Sequence, residues 1–365
     1  LPIKRLKISN LRNLDALDLH PDPSLNIIYG VNGSGKTSVL EAIHLLAMGR
    51  SFRTHRVKPA IKFNADSMVL FSSIVDHDNF THSVGIQRST KGDSFTRIDG
   101  RAASSAAELA SLLPVQLMDA HSFDLIEGPP KLRRSFLDWL VFHVEPAFYS
   151  AWKDYSKILK QRNSLLRRGR IGSFELEPWD SELCRLAEEL KTMRLNCFKL
   201  LESSLAEVIS DFQVMDNLNI GFYGGWSEDT ELAEVLKSGL ERDSKLGYTW
   251  YGAHKAEIQI KINGFPADQA LSRGQQKLLI CALKIAMGQV YKGVTGKTCV
   301  YLIDDLPSEL DKPNQKRLAS WLTKLEAQVF VTSVDKDPLI EAWPEQDNYS
   351  VFHVEHGTIT SESLE

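Results

Sequence analysis

Gly30, Gly35, Lys36 and Thr37 stand at the spacing of a loop that grips phosphates. Residues 30–37 read GVNGSGKT and fit the pattern G-x-x-x-x-G-K-[ST]. Glycines in such a run let the backbone curl until its N–H groups face the β- and γ-phosphates at a helix N-terminus. Val31, Asn32, Gly33 and Ser34 complete the curl. Lys36 is expected to reach the β/γ oxygens and Thr37 to hold Mg²⁺. A second pair of candidates ends the run CVYLIDD, residues 299–305, where four apolar residues lead up to Asp304 and Asp305. Two acids at a strand end are, taken alone, as often a solvated turn as a site. Beside a phosphate loop they gain roles: Asp304 would bind the Mg²⁺ through water, and Asp305 would orient or deprotonate the attacking water.

A third stretch, LSRGQQKLLI at residues 271–280, sets Ser272, Arg273, Gly274, Gln275 and Gln276 ahead of an apolar helical pattern. The plain alternative is a helix start capped by serine. A loop offering the Ser272 hydroxyl, the Gly274 N–H and a helix N-terminus, with Gln275 beside them, is also a γ-phosphate binder. The chain already has one phosphate loop. A second one suits the open face of a neighbour's nucleotide.

The elements that must position these groups follow from hydrophobic periodicity. Residues 25–30, LNIIYG, form a buried-strand run ahead of the phosphate loop, and Val39, Leu40, Ile43, Leu46 and Ala47 give the next helix one apolar face. Short alternating runs at residues 68–75, 82–88 and 94–100 predict an antiparallel sheet, and residues 112–118 a further short strand. From about Gly128 apolar residues recur at three- and four-residue steps, first through Phe148, Trp152, Tyr155, Leu159 and Leu166. A second series runs from Leu183 to Leu201. The spacing predicts an antiparallel helical pair of roughly thirty residues per arm, about 45 Å long at 1.5 Å per residue. Strand–helix texture returns after Gly252. The expected organisation is an α/β head over residues 1–125 and 251–365, the second part carrying the serine loop and paired acids. A helical arm over residues 126–250 is inserted into it.

The 365 residues leave room for two domains and carry a net charge of −4 from 43 Lys and Arg against 47 Asp and Glu. Any nucleic-acid contact must therefore come from local patches. Cys184, Cys197, Cys281 and Cys299 are far apart, so zinc and disulfide readings are poor and a reducing cytoplasm is expected. No run of eighteen apolar residues occurs, so no membrane span is expected. The opening LPIKRLKISNLRNL has no secretory-signal pattern.

The serine loop, the strand ending in two acids and the SELD of residues 308–311 stand in the order of the ATP-binding-cassette class, which the chain resembles. The resemblance implies a P-loop ATPase head with mixed parallel and antiparallel sheets. It also implies a head-to-tail homodimer that sandwiches two ATPs. Within that class, IKRLKISNLRNL, GRSFRTHR, PPKLRRSFLDWL, ILKQRNSLLRRG, GAHKAEIQIKING, LSRGQQKLL and IDDLPSELD resemble the RecF family from end to end. RecF proteins are bacterial DNA replication and repair proteins, related to chromosome-maintenance ATPase heads but with a short arm. What that implies here is ATP on Gly30 to Thr37, Mg²⁺ on Asp304 and Thr37, and hydrolysis assisted by Asp305. Ser272, Gly274 and Gln275 would complete the neighbour's site, and Gln116 would be the glutamine that senses metal and water. The ATP-bound dimer would clamp double-stranded DNA near single-stranded gaps and act with RecR and RecO to help load RecA. Recombinational repair, replication restart and SOS induction are the implied settings. Ser333 stands where the class usually has His, and Asp305 where it usually has Glu. Both departures point to slow hydrolysis used as a timer.

For DNA the basic run at residues 157–170 offers Lys157, Lys160, Arg162, Arg167, Arg168 and Arg170, with a solvated helix tip as the alternative. Arg53, just past the first helix with Arg50, Arg56 and Lys58, would either couple DNA to the nucleotide or pair with a surface acid. The tryptophans fall mostly on apolar faces, so no aromatic-and-basic platform for single strands is expected. Two rival readings are the nucleotide-binding subunit of a membrane transporter, which would not need the helical arm, and a structural chromosome-organising head, whose long coiled coil the spacing excludes.

Overall fold

The computed structural model describes residues 2–54, 56–76, 79–168, 173–212, 217–343 and 348–362. The chain divides into two compact units, Leu1–Ser122 with Cys281–Glu365, and Phe123–Ile280.

The first unit holds two six-stranded sheets. In one, the order is Leu14–Leu19, Ile3–Leu11, Ser67–Val75, Thr81–Ser89, Ser94–Ile98 and Arg101–Ala102, with every neighbouring pair antiparallel. Its strands alternate, as a sheet with one covered face should: in Ile3–Leu11 the side chains of Ile3, Leu6, Ile8 and Leu11 are buried and Lys4 and Lys7 are exposed. The other sheet runs Thr358–Glu362, Tyr349–Glu355, Leu25–Tyr29, Gln328–Ser333, Val300–Ile303, Val115–Met118. All its pairs are parallel except the edge pair formed by Thr358–Glu362. Parallel strands are covered on both faces and read as continuous apolar runs, and all four residues of Val300–Ile303 and all six of Gln328–Ser333 are buried. The helix Lys36–Met48 packs Val39, Leu40, Ile43 and Leu46 into the core and stops at Gly49, whose φ of 69° suits a residue without Cβ.

In the second unit three helices, Pro130–Val144, Phe148–Leu166 and Ser173–Phe212, accompany a three-stranded antiparallel sheet of Phe265–Pro266, Glu257–Ile262 and Leu218–Tyr223. The helical pair is antiparallel: Arg162 meets Asp180, and the Arg194 guanidinium lies 5.8 Å from the Phe148 ring. Its arms are unequal, which corrects the expected thirty and thirty. The first has 19 residues and the second 40, about 28 and 60 Å. The second helix starts before its proline, Pro178, and runs on past its partner. Level with the partner helix's first residue Arg194 holds Asp138 at 2.7 Å, and further on Phe198 meets the Phe222 ring at 5.9 Å. The return to the first unit also comes later than residue 251. The EIQIKI strand, Glu257–Ile262, pairs with Leu218–Tyr223 of the second unit, and the division falls inside the helix Arg273–Thr295. By length and composition that helix could cross a membrane, yet 67% of its most apolar stretch is buried in protein, as in a core helix.

Arg162 departs furthest from its expected role. It is fully buried, donating to Asp243 at 2.9 Å and to Thr249 at 2.8 Å, with Asp180 on its Nε. A cation inside such a network cannot reach DNA phosphates. Removing one partner of a buried pair strands the other charge and costs about 3–5 kcal/mol. Arg162→Met is therefore expected to destabilise the second unit by that amount in urea unfolding, while Lys160→Met, at an exposed position, changes it by less than about 0.5 kcal/mol. Equal stability of the two variants would contradict this account.

Candidate functional site

The strand Leu25–Tyr29 delivers the chain to Gly30, whose φ is 149° and whose added Cβ would lie 2.2 Å from the Val354 oxygen, so only glycine fits there. Gly33 and Gly35 also take positive φ. The helix beginning at Lys36 has no side-chain cap, so its first N–H groups remain open to an anion. The Ser34 hydroxyl is buried without a partner among the described residues. Lys36 is nearly buried, and its ammonium donates to the Gly30 and Val31 carbonyls at 2.7 and 3.1 Å. Burial lowers its pKa, opposed by Asp305 and Asp304. Val31, Asn32 and Gly33 are exposed at the loop's tip.

Opposite the loop, the Asp304 carboxylate accepts from Thr37 Oγ1 at 2.9–3.0 Å and from Thr332 Oγ1 at 2.7 Å. Thr332 Oγ1 in turn accepts the Asp305 N–H at 2.8 Å, so one hydroxyl sets both acids. Asp305 takes a left-handed backbone, φ 51° and ψ 50°. Burial raises the Asp304 pKa, the Thr332 and Thr37 bonds oppose that, and the charges of Asp119 and Asp305 add to it. The Thr37 hydroxyl and the Asp304 carboxylate, 2.9–3.0 Å apart, are hard oxygen donors of the kind Mg²⁺ takes alongside phosphate and water.

Asn32, Gly33, Gly35, Lys36 and Thr37 of the loop line one cavity of about 850 Å³ with Asp304 and Asp305. Sequence reasoning missed several of its walls. Asn13, in the turn between the first two strands, donates to the Gly33 and Ser34 carbonyls at 3.0 and 2.8 Å and so braces the loop from outside. Arg12 beside it makes a two-pronged contact with Glu41, at 2.9 and 2.7 Å, and Glu41 is fully buried in the helix after the loop. Ser51 also bonds Glu41. Lys58, Lys62 and Phe63 complete the rim, with the Phe63 ring 88% exposed. The only local signal for the Arg12–Asn13 turn was a polar pair between two apolar runs.

Arg53 meets an acid, though a buried one rather than a surface one. Its guanidinium lies 3.5 Å from Glu41, it is half-exposed, and it lines the nucleotide-sized cavity. Gln116 lies away from the cavity. Across the parallel sheet it stands opposite Tyr301, three residues before Asp304, and its amide donates to the Met287 sulfur at 3.0 Å. Buried in mid-strand, it lines no part of the cavity. The chain reaches the level of Asp304 only at Asp119, after the Asp304 N–H has bonded the Met118 carbonyl at 2.9 Å. Ser333 is buried at the end of its strand.

The serine loop, described within the second unit, is a reciprocal cap. The Ser272 N–H donates to Gln275 Oε1 at 3.0 Å and the Gln275 N–H to Ser272 Oγ at 3.4 Å. Both readings of that stretch therefore stay compatible. Ser272, Arg273 and Gly274 are exposed, and a Cβ on Gly274 would meet nothing within 4 Å. Among the described residues nothing crowds that position.

A model of the RecF/RecN/SMC N-terminal domain family matches residues 2–360. The chain is 45% identical over 362 residues to the DNA replication and repair protein RecF of Cellvibrio japonicus, covering 99% of each. This chain belongs to the RecF family. It is also 44% identical over 360 residues to RecF of Pseudomonas entomophila, covering 99% of this chain and 98% of that one. Among solved structures it resembles the recombination mediator protein RecF–ATP in the RecFOR pathway, with a TM-score of 0.86 at 26% identity over 99% of this chain and 98% of that one. An Smc head bound to the C-winged helix domain of ScpA matches at TM-score 0.64 and 16% identity, covering 100% of this chain and 98% of that one. The fold is thus the expected ABC-type ATPase head shared by RecF proteins and Smc heads. Of the basic residues carried over as DNA candidates in this RecF chain, Lys157, Lys160, Arg167 and Arg168 are exposed. Arg167 donates to the Gly247 carbonyl at 3.3 Å, and Arg170 lies outside the described residues.

Proposed function

We propose that this RecF-family chain is an ATP-operated dimerisation switch that holds DNA for recombinational repair. The observation that carries the reading is the meeting, in one cavity, of Lys36, the uncapped helix start, Thr37 and the paired acids. ATP would lie with its β- and γ-phosphates on the N–H groups of residues 30–37 and its triphosphate charge against Lys36. The exposed Phe63 face would be available to the base. Thr37, and Asp304 through water, would hold Mg²⁺, which when bound neutralises phosphate charge. Asp305 would orient or deprotonate the attacking water. Ser272, Gly274 and Gln275 would close the neighbour's site, giving an ATP-dependent homodimer.

The RecF name of its relatives and the RecFOR setting of the RecF–ATP structure support a place in that pathway, where the chain would act with RecR and RecO to help load RecA. The chain would act at double-stranded DNA beside single-stranded gaps, in the cytoplasm, with weak DNA-stimulated ATPase. Lys157, Lys160, Arg167 and Arg168 are candidate phosphate contacts, and Arg53 a link between DNA and nucleotide. Slow turnover follows from Asp305, one methylene shorter than glutamate, and from Ser333 in place of histidine.

Sedimentation with and without ATP and a short duplex tests the switch. ATP should convert monomer to dimer, and an unchanged sedimentation coefficient would refute it. The two acids should then separate in function. Asp305→Asn keeps the left-handed backbone, which Asn tolerates well. It is expected to preserve Mg²⁺–ATP binding and the dimer while turnover falls by roughly 100- to 10,000-fold. Asp304→Asn is expected instead to weaken Mg²⁺ by roughly 10- to 100-fold. Isothermal titration and phosphate release measure the two effects, and identical behaviour of the variants would overturn the division of roles.

A further inference from the structure

The second unit presents an aromatic and basic platform that the sequence reading did not expect, because its parts are scattered along the chain. Residues 248–255 are pinned from beneath by buried polar groups. The Trp250 N–H donates to Asp243 at 3.2 Å, the Thr249 N–H to Asn163 at 2.8 Å, and Tyr155 meets His254 at 2.8 Å. Gly252, at φ 136°, donates to the Gly225 carbonyl at 3.2 Å. With its backbone held, the segment turns its rings outward: Tyr248 is 36% and Trp250 40% exposed. The two rings stack with centroids 6.0 Å apart and planes at 26°. Lys255 Nζ lies 5.7 and 5.6 Å from their centroids, and the Arg242 guanidinium 5.7 Å from Trp250 and 4.8 Å from Tyr251.

Beside Trp250 opens a cavity of about 410 Å³ whose walls include Tyr223, Tyr251, Lys131, Arg134 and Lys255. Lys131 and Arg134 come from the start of the helix Pro130–Val144. The cavity's one acid, Glu257, is engaged by Arg133 at 3.0 Å, so the lining charge is positive. Flat, half-open rings with several cations in reach match unstacked bases joined by phosphates. A duplex hides its base faces in its own stack. An acidic peptide would use the cations but give the paired rings no ligand. We propose that Trp250 with Tyr248 stacks a base of single-stranded DNA while Lys131, Arg134 and Lys255 hold the adjoining phosphates. The choice of DNA rests on the proposed function; the single-strand subsite goes beyond it.

The test is fluorescence anisotropy of the full chain with a labelled oligo-dT of about twelve nucleotides, within the site sizes such surfaces cover. ATP-dependent binding of a blunt duplex is measured in parallel. Trp250→Ala is expected to weaken oligo-dT by about 5- to 150-fold, Trp250→Phe to retain most affinity, and Lys255→Glu to weaken it and flatten its salt dependence by about one ion. Duplex binding should stay within about twofold for all three, since none lies in the ATP site. Trp250→Ala with wild-type oligo-dT affinity overturns the proposal. So does an equal loss on duplex, or displacement of oligo-dT by polyglutamate of matched charge. Should Trp250→Ala fail to fold, Lys255→Glu decides alone, unchanged oligo-dT affinity being the contrary result. If the wild type binds duplex but no oligo-dT, the subsite is wrong and the proposed function stands; if it binds neither, both fall.

Discussion

Lys36→Met is expected to abolish ATP-driven dimerisation and, with it, retention of DNA. The ammonium rests 2.7 Å from the Gly30 carbonyl and 3.1 Å from that of Val31, inside the curl where phosphates would sit. Its lowered pKa reflects burial, so it is a poorly solvated charge with strong reason to meet an anion. At an effective dielectric of about 20, two unit charges 4 Å apart attract by about 4 kcal/mol, a loss of roughly a thousandfold in affinity. Methionine keeps the apolar stem, so the melting temperature should hold while nucleotide binding collapses. Lys36→Arg makes the complementary point: its wider fork can keep ATP yet lose hydrolysis, because it cannot take the same position. Nucleotide titration and sedimentation check both variants. Normal ATP-dependent dimers of Lys36→Met would falsify the assignment of this loop.

The phosphate loop and paired acids were legible because each lies on a few contiguous residues, a strand end and a helix start, where spacing alone fixes geometry. What joins them was not. Thr332 sets both Asp304 and Asp305, but it belongs to the next strand of the sheet and carries no local mark. The surroundings of Gln116 were hidden for the same reason. Its strand was legible, but the register that places it opposite Tyr301 is a property of two segments far apart. The strand Glu257–Ile262 could be read from its alternation, though not the sheet it joins. Charge misled where burial was invisible. Arg162 sits in a run of cations yet turns inward to Asp243, while Lys157 and Lys160 face water. The platform at Trp250 was missed because Lys131, Tyr223 and Trp250 meet only after folding. Periodicity found the helical pair but not its unequal ends: Ser173–Phe212 begins ahead of Pro178 and runs 40 residues against the 19 of Phe148–Leu166.

Mixing Ser272→Arg chains with Lys36→Met chains is expected to restore ATPase activity that neither has alone. In the isolated chain Ser272 is exposed, so arginine is accommodated at the loss of one helix cap, about 1 kcal/mol. ATP affinity of the Ser272→Arg monomer should therefore stay near wild type. Dimerisation should fail, because a bulky cation would fill the space meant for the neighbour's γ-phosphate and Mg²⁺. In a head-to-tail pair of the two variants, the Ser272→Arg chain contributes a sound phosphate loop and the Lys36→Met chain a sound serine loop. These meet in one intact site, and both defects fall together in the other. Neither variant pairs with itself, so the dimers that form are mixed, each with one working site of two, and up to about half of wild-type turnover should return. Phosphate release from a 1:1 mixture measures it. If mixing restores nothing while both variants stay folded, either the two sites must close together or the loop serves its own chain. ATP titration of the Ser272→Arg monomer separates these: lost binding places the loop on its own nucleotide, and retained binding requires paired closure.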